Sequence, residues 1–231
     1  MNSIITKPVP PLRAGQKLSR AEFERRYDAM PELKKAELID GVVYMPSPVT
    51  RDHSWTHSDL NGWLYLYRLH TPGLEGGDNG SIRLGQDSMP QPDTSLRIKE
   101  THGGQSRVDA DGYLKGGPEF LAEVAVTSAD FDLEVKLPLY ARNKVREYLV
   151  WRVMEKEIDW FVLRAGKYAR LRPGAAGLYR SKVFPGLWLD PRALMNADLP
   201  AVAAAVQQGV NSPEHAAFVQ KLQRKAARKR L

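Results

Sequence analysis

The 231-residue chain contains no cysteine. That excludes disulfides and cysteine-based zinc sites, and it fits a cytoplasmic protein. No apolar run approaches the ~20 residues of a membrane-spanning helix, so no membrane partner is expected. The opening stretch MNSIITKPVPPLRAGQ lacks an apolar signal core and reads as a flexible, proline-rich lead-in over residues 1–16. The glycine-rich run GLEGGDNG at 73–80 lacks the Gly-Lys-Ser/Thr ending of a phosphate loop. It reads as a loop with no phosphate role. No internal repeat and no clear second domain emerge. Acids are missing from KLQRKAARKR at 221–230, and this decides what the net charge of +7 means. A positive balance suggests nucleic acid. Without Lys221, Arg224, Lys225, Arg228, Lys229 and Arg230, however, 28 of the 34 basic residues remain against 27 acidic ones. The positive field belongs to a tail, which reads first as a solvated helix end.

What is present is ordinary for a globular protein, at 42% hydrophobic and 26% charged residues. LSRAEFERRYDAM signals a helix, with Ser19 and Glu22 spaced for a capping box and Leu18 and Phe23 for a hydrophobic staple. Asp40-Gly41 between two short apolar runs signals a two-residue hairpin. In residues 51–70, His53, His57, Leu60, Leu64 and Tyr67 form one helical stripe. SIRLG and DTSLRI read as strands, and the polar insert at 99–117 as too rich in Gly and Asp for core. A helix is expected from about 132 to 143, with a kink or late start caused by Pro138. EYLVWRV, EIDWFVL and KYARLRP read as strands, the last two antiparallel. A final helix over 213–230 begins with Ser212 as cap and Pro213 in its first turn. Phe218 and Leu222 could dock it onto a partner subunit. The five tryptophans read as core and interface residues, not base-stacking platforms.

FLAEVAV at 120–126 poses the functional question. It reads as a strand covered on both faces, yet Glu123 sits in its middle. Burying an ionised carboxylate without a partner costs several kcal/mol or more. Asp93 opens a strand after Pro92, and Lys136 follows on the helix behind Glu123. If the two strands are neighbours, Asp93 and Glu123 can converge on one hard divalent cation such as magnesium, with the lysine nearby. Each residue also has a structural reading: Asp93 as a turn residue, Glu123 in a salt bridge with Lys136, Lys136 as a surface lysine. His53 and His57 lie one turn apart without an evident third ligand, so packing or hydrogen bonding suits His57 better than a metal.

From about residue 17 to 192 the chain resembles the Uma-two family of restriction endonucleases, a branch of the PD-(D/E)XK nuclease-like fold. The residues carrying the resemblance are Phe23 in the lead helix, ELIDG at 37–41, His53, PD at 92–93, PEFLAEV at 118–124, KLPLYARNKVREYLV at 136–150 and FPGLWLD at 184–190. The resemblance implies an α/β fold, a central mixed β-sheet flanked by helices, with an N-terminal helix and hairpin. On that basis residues 17–195 form the nuclease-like domain and 196–231 a helical, basic tail. It also implies a metal-dependent endonuclease acting on DNA. Asp93, Glu123 and the backbone carbonyl of Val124 would hold Mg2+, with Mn2+ as a substitute, and Lys136 would complete the catalytic set. Tyr140 would position Lys136, while Glu37 and His53 match supporting positions. A homodimer is compatible with such an enzyme. The competing reading keeps the fold as a catalytically inactive nucleic-acid-binding or assembly module.

Overall fold

The structure, a computed structural model, describes residues 8–174 and 176–228. Part of the expected lead-in, residues 1–7, lies outside them. Further along, Leu12 is buried and Gly15 donates to the Val43 carbonyl. Helix α1 (Arg20–Asp28) starts at Ser19, whose hydroxyl accepts the Glu22 N–H at 3.3 Å. Only half of the capping box forms, because the Glu22 carboxylate turns to Arg25 and Arg26 instead. Phe23 is fully buried, in a cluster that Leu18 packs against. Strands β1 (Glu37–Ile39) and β2 (Val42–Tyr44) form the expected hairpin. Its turn needs positive φ at both residues, and Asp40 and Gly41 adopt 50° and 76°. Helix α2 (Arg51–Leu69) buries His57, Leu60, Trp63, Leu64 and Tyr67, which is the expected stripe with Trp63 added and with His53 only half-buried at its start.

The remaining strands are β3 (Leu74–Asp78), β4 (Ile82–Arg83), β5 (Thr94–Ile98), β6 (Arg107–Val108), β7 (Leu114–Lys115), β8 (Phe120–Ala125), β9 (Glu147–Arg152), β10 (Glu157–Arg164), β11 (Lys167–Arg170), β12 (Tyr179–Arg180) and β13 (Trp188–Leu189). Six of them build the central sheet in the order β11-β10-β9-β8-β5-β3. Within that sheet only β8 and β9 pair in parallel, joined by the helical connection that carries Lys136; the sheet is therefore mixed. Strands β4, β6 and β7 make a small separate sheet, so the polar insert is not wholly irregular. The glycine-rich run is a correction of the loop expected there, since Leu74–Asp78 is the sheet's edge strand. A Cβ on Gly76 would lie 2.8 Å from Arg68 Nη1, and one on Gly77 would lie 2.7 Å from Ser95 Oγ. Here glycine marks close approach of neighbours rather than a turn.

The sheet's two faces alternate along β8, as side chains on a strand must. Phe120, Ala122 and Val124 join the core under α2, while Leu121 and Ala125 face Leu139, Tyr140 and Tyr148. The helix expected over 132–143 is two pieces: a wide π-type segment, Phe131–Lys136, and then α3 (Leu137–Arg142). The Leu137 N–H reaches the Asp132 carbonyl, five residues back. The irregularity expected from Pro138 is thus a widened turn just before it. Helices α4 (Pro191–Met195), α5 (Leu199–Val210) and α6 (Pro213–Arg228) complete the chain. Phe218 and Leu222 do not await a partner. They pack in their own chain's core beside Val202, Val206 and Phe184, which corrects the docking expectation. Lys229 and Arg230 of the basic tail lie outside the described residues. Among the described residues no helix is long and apolar enough to cross a membrane.

One core carboxylate sets an expected pH dependence. Glu147 on β9 is fully buried, and it accepts from the Ser181 hydroxyl and from the Lys182 and Val183 N–H groups. Burial pushes its pKa up to about 7, against the pull of those donors. A raised folded-state value means that the native state binds the extra proton. The stabilisation is full below about pH 4.5 and is lost as pH rises through about 7. At 1.36 kcal/mol per pH unit, that is roughly 3 kcal/mol. Glu147→Gln mimics the protonated acid, because both backbone N–H groups already point at one oxygen. The difference in unfolding free energy between wild type and Glu147→Gln, followed by denaturant melts from pH 4 to 8, is expected to slope with pH. A pH-independent difference would refute the buried proton.

Candidate functional site

Glu123 lies on the α3 side of β8, and charged groups from β1, from the residue before β5 and from the wide turn before α3 surround it. The β5–β8 ladder stops at Thr94↔Ala122, leaving the last part of β8 without a β5 partner. The Asp93 side chain fills in: its Oδ2 accepts the Val124 N–H at 2.8 Å, and its own N–H donates to Glu123 Oε2 at 3.3 Å. The N–H and C=O of one strand residue point to the same edge, so the Val124 carbonyl faces the gap that Asp93 occupies. From the wide turn behind β8, Lys136 Nζ lies 2.9 Å from Glu123 Oε1, 3.1 Å from Glu37 Oε1 and 3.6 Å from Asp132 Oδ1. Tyr140 was expected to position Lys136. Its hydroxyl instead donates to Glu123 Oε1 at 2.9 Å, so it fixes the carboxylate that the lysine also holds. Glu37 comes from the hairpin, and its Oε1 accepts the Gln91 N–H at 2.7 Å. His53 Nε2 stands 3.2 Å from Asp93 Oδ2, and its Nδ1 is buried without a partner.

The six side chains that the sequence assigned to the site, Glu37, His53, Asp93, Glu123, Lys136 and Tyr140, therefore meet in one place. His57 is not aimed at the carboxylates in the same way. Its Nε2 sits 2.7 Å from the Asp93 carbonyl and 3.1 Å from Asp78 Oδ1, a hydrogen-bonding role at the strand end. Two members escaped the sequence. Asp132 stands four residues before Lys136, a spacing that could have exposed it. Lys35 brings its Nζ to 3.0 Å from Asp93 Oδ1. It belongs to an ordinary polar stretch before β1, and no local pattern marks it.

The charges do not cancel. Four buried carboxylates, Glu37, Asp93, Glu123 and Asp132, face two ammonium groups, Lys136 and the half-buried Lys35. The acids divide accordingly. Burial raises Glu123 to about 8 against the attraction of Lys136, and Asp93, Asp132 and Glu37 add to the rise. Asp132 is raised as well, again by burial first. Asp93 goes the other way. Burial opposes it, but the His53 hydrogen bond, the Lys35 charge and the Val124 N–H hold its carboxyl well below the usual range. Lys136 stays protonated because its three carboxylates outweigh its burial.

Among the described residues no group of three or more His, Asp or Glu side chains stands ready to hold a metal ion. Glu123 Oε1 is taken by Lys136 and Tyr140, and Asp93 Oδ1 by Lys35. The donor chemistry nevertheless fits a hard cation. Carboxylate and carbonyl oxygens border the gap, and with all four acids ionised the excess of two negative charges equals the charge of one divalent ion; without that ion, burial and mutual repulsion raise Glu123 and Asp132 towards their protonated forms.

A central mixed sheet flanked by helices is the restriction-endonuclease-like fold. In agreement, the chain is similar to the crystal structure of "a putative nuclease belonging to DUF820" from Anabaena variabilis, with a TM-score of 0.51 and 13% sequence identity. The match covers 74% of this chain and 97% of that one. Residues 20–192 match the Uma2 family, described as "Putative restriction endonuclease", and the chain belongs to that family. No curated protein matches the chain.

Proposed function

We propose that the protein is a magnesium-dependent endonuclease that hydrolyses phosphodiester bonds in DNA. The observation that carries this reading is the crowded cluster: four carboxylates and two ammonium groups at the end of the β5–β8 ladder, which with every acid ionised are short by the charge of one divalent cation. Asp93, Glu123 and the Val124 carbonyl would hold the ion, which when bound polarises a phosphate and acidifies a water. Lys35 and His53 keep Asp93 ionised, so its oxygens remain strong donors. Tyr140 fixes the orientation of Glu123. Lys136, already charged and fixed by Glu37 and Asp132, stabilises negative charge developing on the phosphate.

Two measurements test the reading together. Magnesium or manganese at about 100 times Kd is expected to stabilise the fold by about 2.7 kcal/mol, raising Tm by roughly 5–10 °C. Glu123→Gln removes one ligand charge and is expected to lose that rise. In parallel, a mixture of single- and double-stranded DNA is expected to be cut by the wild type with either ion and left intact by Glu123→Gln. Absence of both cleavage and Tm shift, with salt-sensitive DNA binding retained, would assign the cluster to the binding module instead.

A further inference from the structure

The open space beside this cluster is not directly over Lys136. Two clefts of about 390 and 500 Å3 meet at the free edge of β3, and both are lined by Arg68, Gly76, Gly77 and Ser95. The smaller also reaches Asn61, Asp78 and Thr94. Thr94 follows Asp93, and Asp78 and Asn61 both contact His57 Nε2, so this cleft ends against the Asp93 side of the site.

Arg68 is the unsatisfied group in this space. It lies on the last turn of α2, its Nη1 close above Gly76, and its Nε is buried without a hydrogen-bond partner. The other charges here are engaged. Arg97 and Lys99 pair with Glu75, and Asp78 contacts His57 and Asn79. Among the described residues no carboxylate pairs with Arg68; its guanidinium stands 6.0 Å from the ring centre of Tyr65, which also lines the cleft.

A second donor faces the same space. The Lys99 N–H bonds the Gly73 carbonyl, and the Asn79 N–H bonds the Asp93 carbonyl. Antiparallel pairs alternate, so the odd-numbered residues of β3 make the bonds to β5 and the backbone of Gly76 faces the free edge. With no side chain at 76, an anion can approach that N–H and the guanidinium together. The seven-residue step from Asn61 to Arg68 rises about 10 Å along α2, which is roughly three nucleotides of a stacked strand.

From this geometry we infer that the Arg68–Gly76 cleft is a phosphate-binding subsite, holding the backbone of the nucleic-acid strand a few nucleotides from the bond at Asp93. The inference rests on the nuclease reading for its ligand. It gives the glycine run an anion-binding role unrelated to a phosphate loop.

The test is equilibrium binding of a fluorescein-labelled DNA oligonucleotide in EDTA, followed by anisotropy across a salt series. Wild type is expected to bind with affinity falling as salt rises. Arg68→Ala is expected to bind several-fold more weakly, with the salt slope reduced by about one unit. Arg68→Lys, which keeps the charge and loses the planar fork, is expected to restore the slope but not the full affinity. Melting curves check that both variants are folded. An Arg68→Ala variant with wild-type affinity and slope overturns the subsite, and it leaves the nuclease reading standing if magnesium-dependent cleavage persists. Arg68-dependent binding without cleavage in magnesium supports the subsite and removes the hydrolytic reading. Failure of the wild type to bind DNA overturns both.

Discussion

Lys136→Ala is expected to abolish cleavage and to lower the stability of the metal-free protein by about 3–5 kcal/mol, the usual cost of removing one partner from a buried ion pair. The reason lies in what the lysine leaves behind. Its side chain is only 4% exposed, and its Nζ lies within 3.6 Å of oxygens on Glu37, Glu123 and Asp132. Without it, four buried carboxylates share only Lys35. In a domain of this size each kcal/mol moves Tm by about 2–4 °C, so a fall of around 10 °C in EDTA is expected. The same loss makes the cluster a stronger attractor for cations. Magnesium should therefore raise the Tm of Lys136→Ala by more than it raises that of wild type, while cleavage stays absent. A surface lysine would give neither effect. A variant that melts with the wild type in EDTA, or gains nothing extra from magnesium, would show that the carboxylates do not form one electrostatic unit.

Some of this could be read from the chain and some could not, for physical reasons. Glu123 was visible because an acid inside an apolar strand has no cheap explanation. The Asp40-Gly41 hairpin was visible because its turn needs two residues at positive φ, and this pair tolerates that. The wide turn before α3 was half visible. Pro138 announced an irregularity, but not that a π-type segment would bring Asp132 and Lys136 to the same carboxylate. Lys35 was invisible, because the partner it finds is 58 residues away and only the fold brings them together. Strand β3 was misread, because glycine chosen for close approach and glycine chosen for a turn look alike in sequence. Phe218 and Leu222 show the converse: an apolar stripe says that something covers it, and only the tertiary structure says that the cover is the chain's own core.

Asp93→Asn should separate chemistry from architecture more cleanly than the lysine change does. Asp93 supports β8 through its Oδ2, which accepts the Val124 N–H. An asparagine oxygen can keep that bond, so the parting of β5 and β8 should survive. What the amide cannot keep is the anion. With the Val124 bond kept, its Nδ2 takes the place of Oδ1 and faces Lys35 Nζ, donor against donor, where the carboxylate now accepts. The ligand charge is lost at the position the surroundings work hardest to keep ionised, since Lys35, His53 and the Val124 N–H together overcome the burial of Asp93. Cleavage is therefore expected to fall by about three orders of magnitude, the rate equivalent of about 4 kcal/mol. The melting temperature in EDTA should move far less than in Lys136→Ala. Steady-state cleavage in magnesium, set beside melts of the same two preparations, gives both numbers. If Asp93→Asn cuts DNA within tenfold of wild type, Asp93 only caps a strand end, and the charge deficit of the cluster needs another explanation.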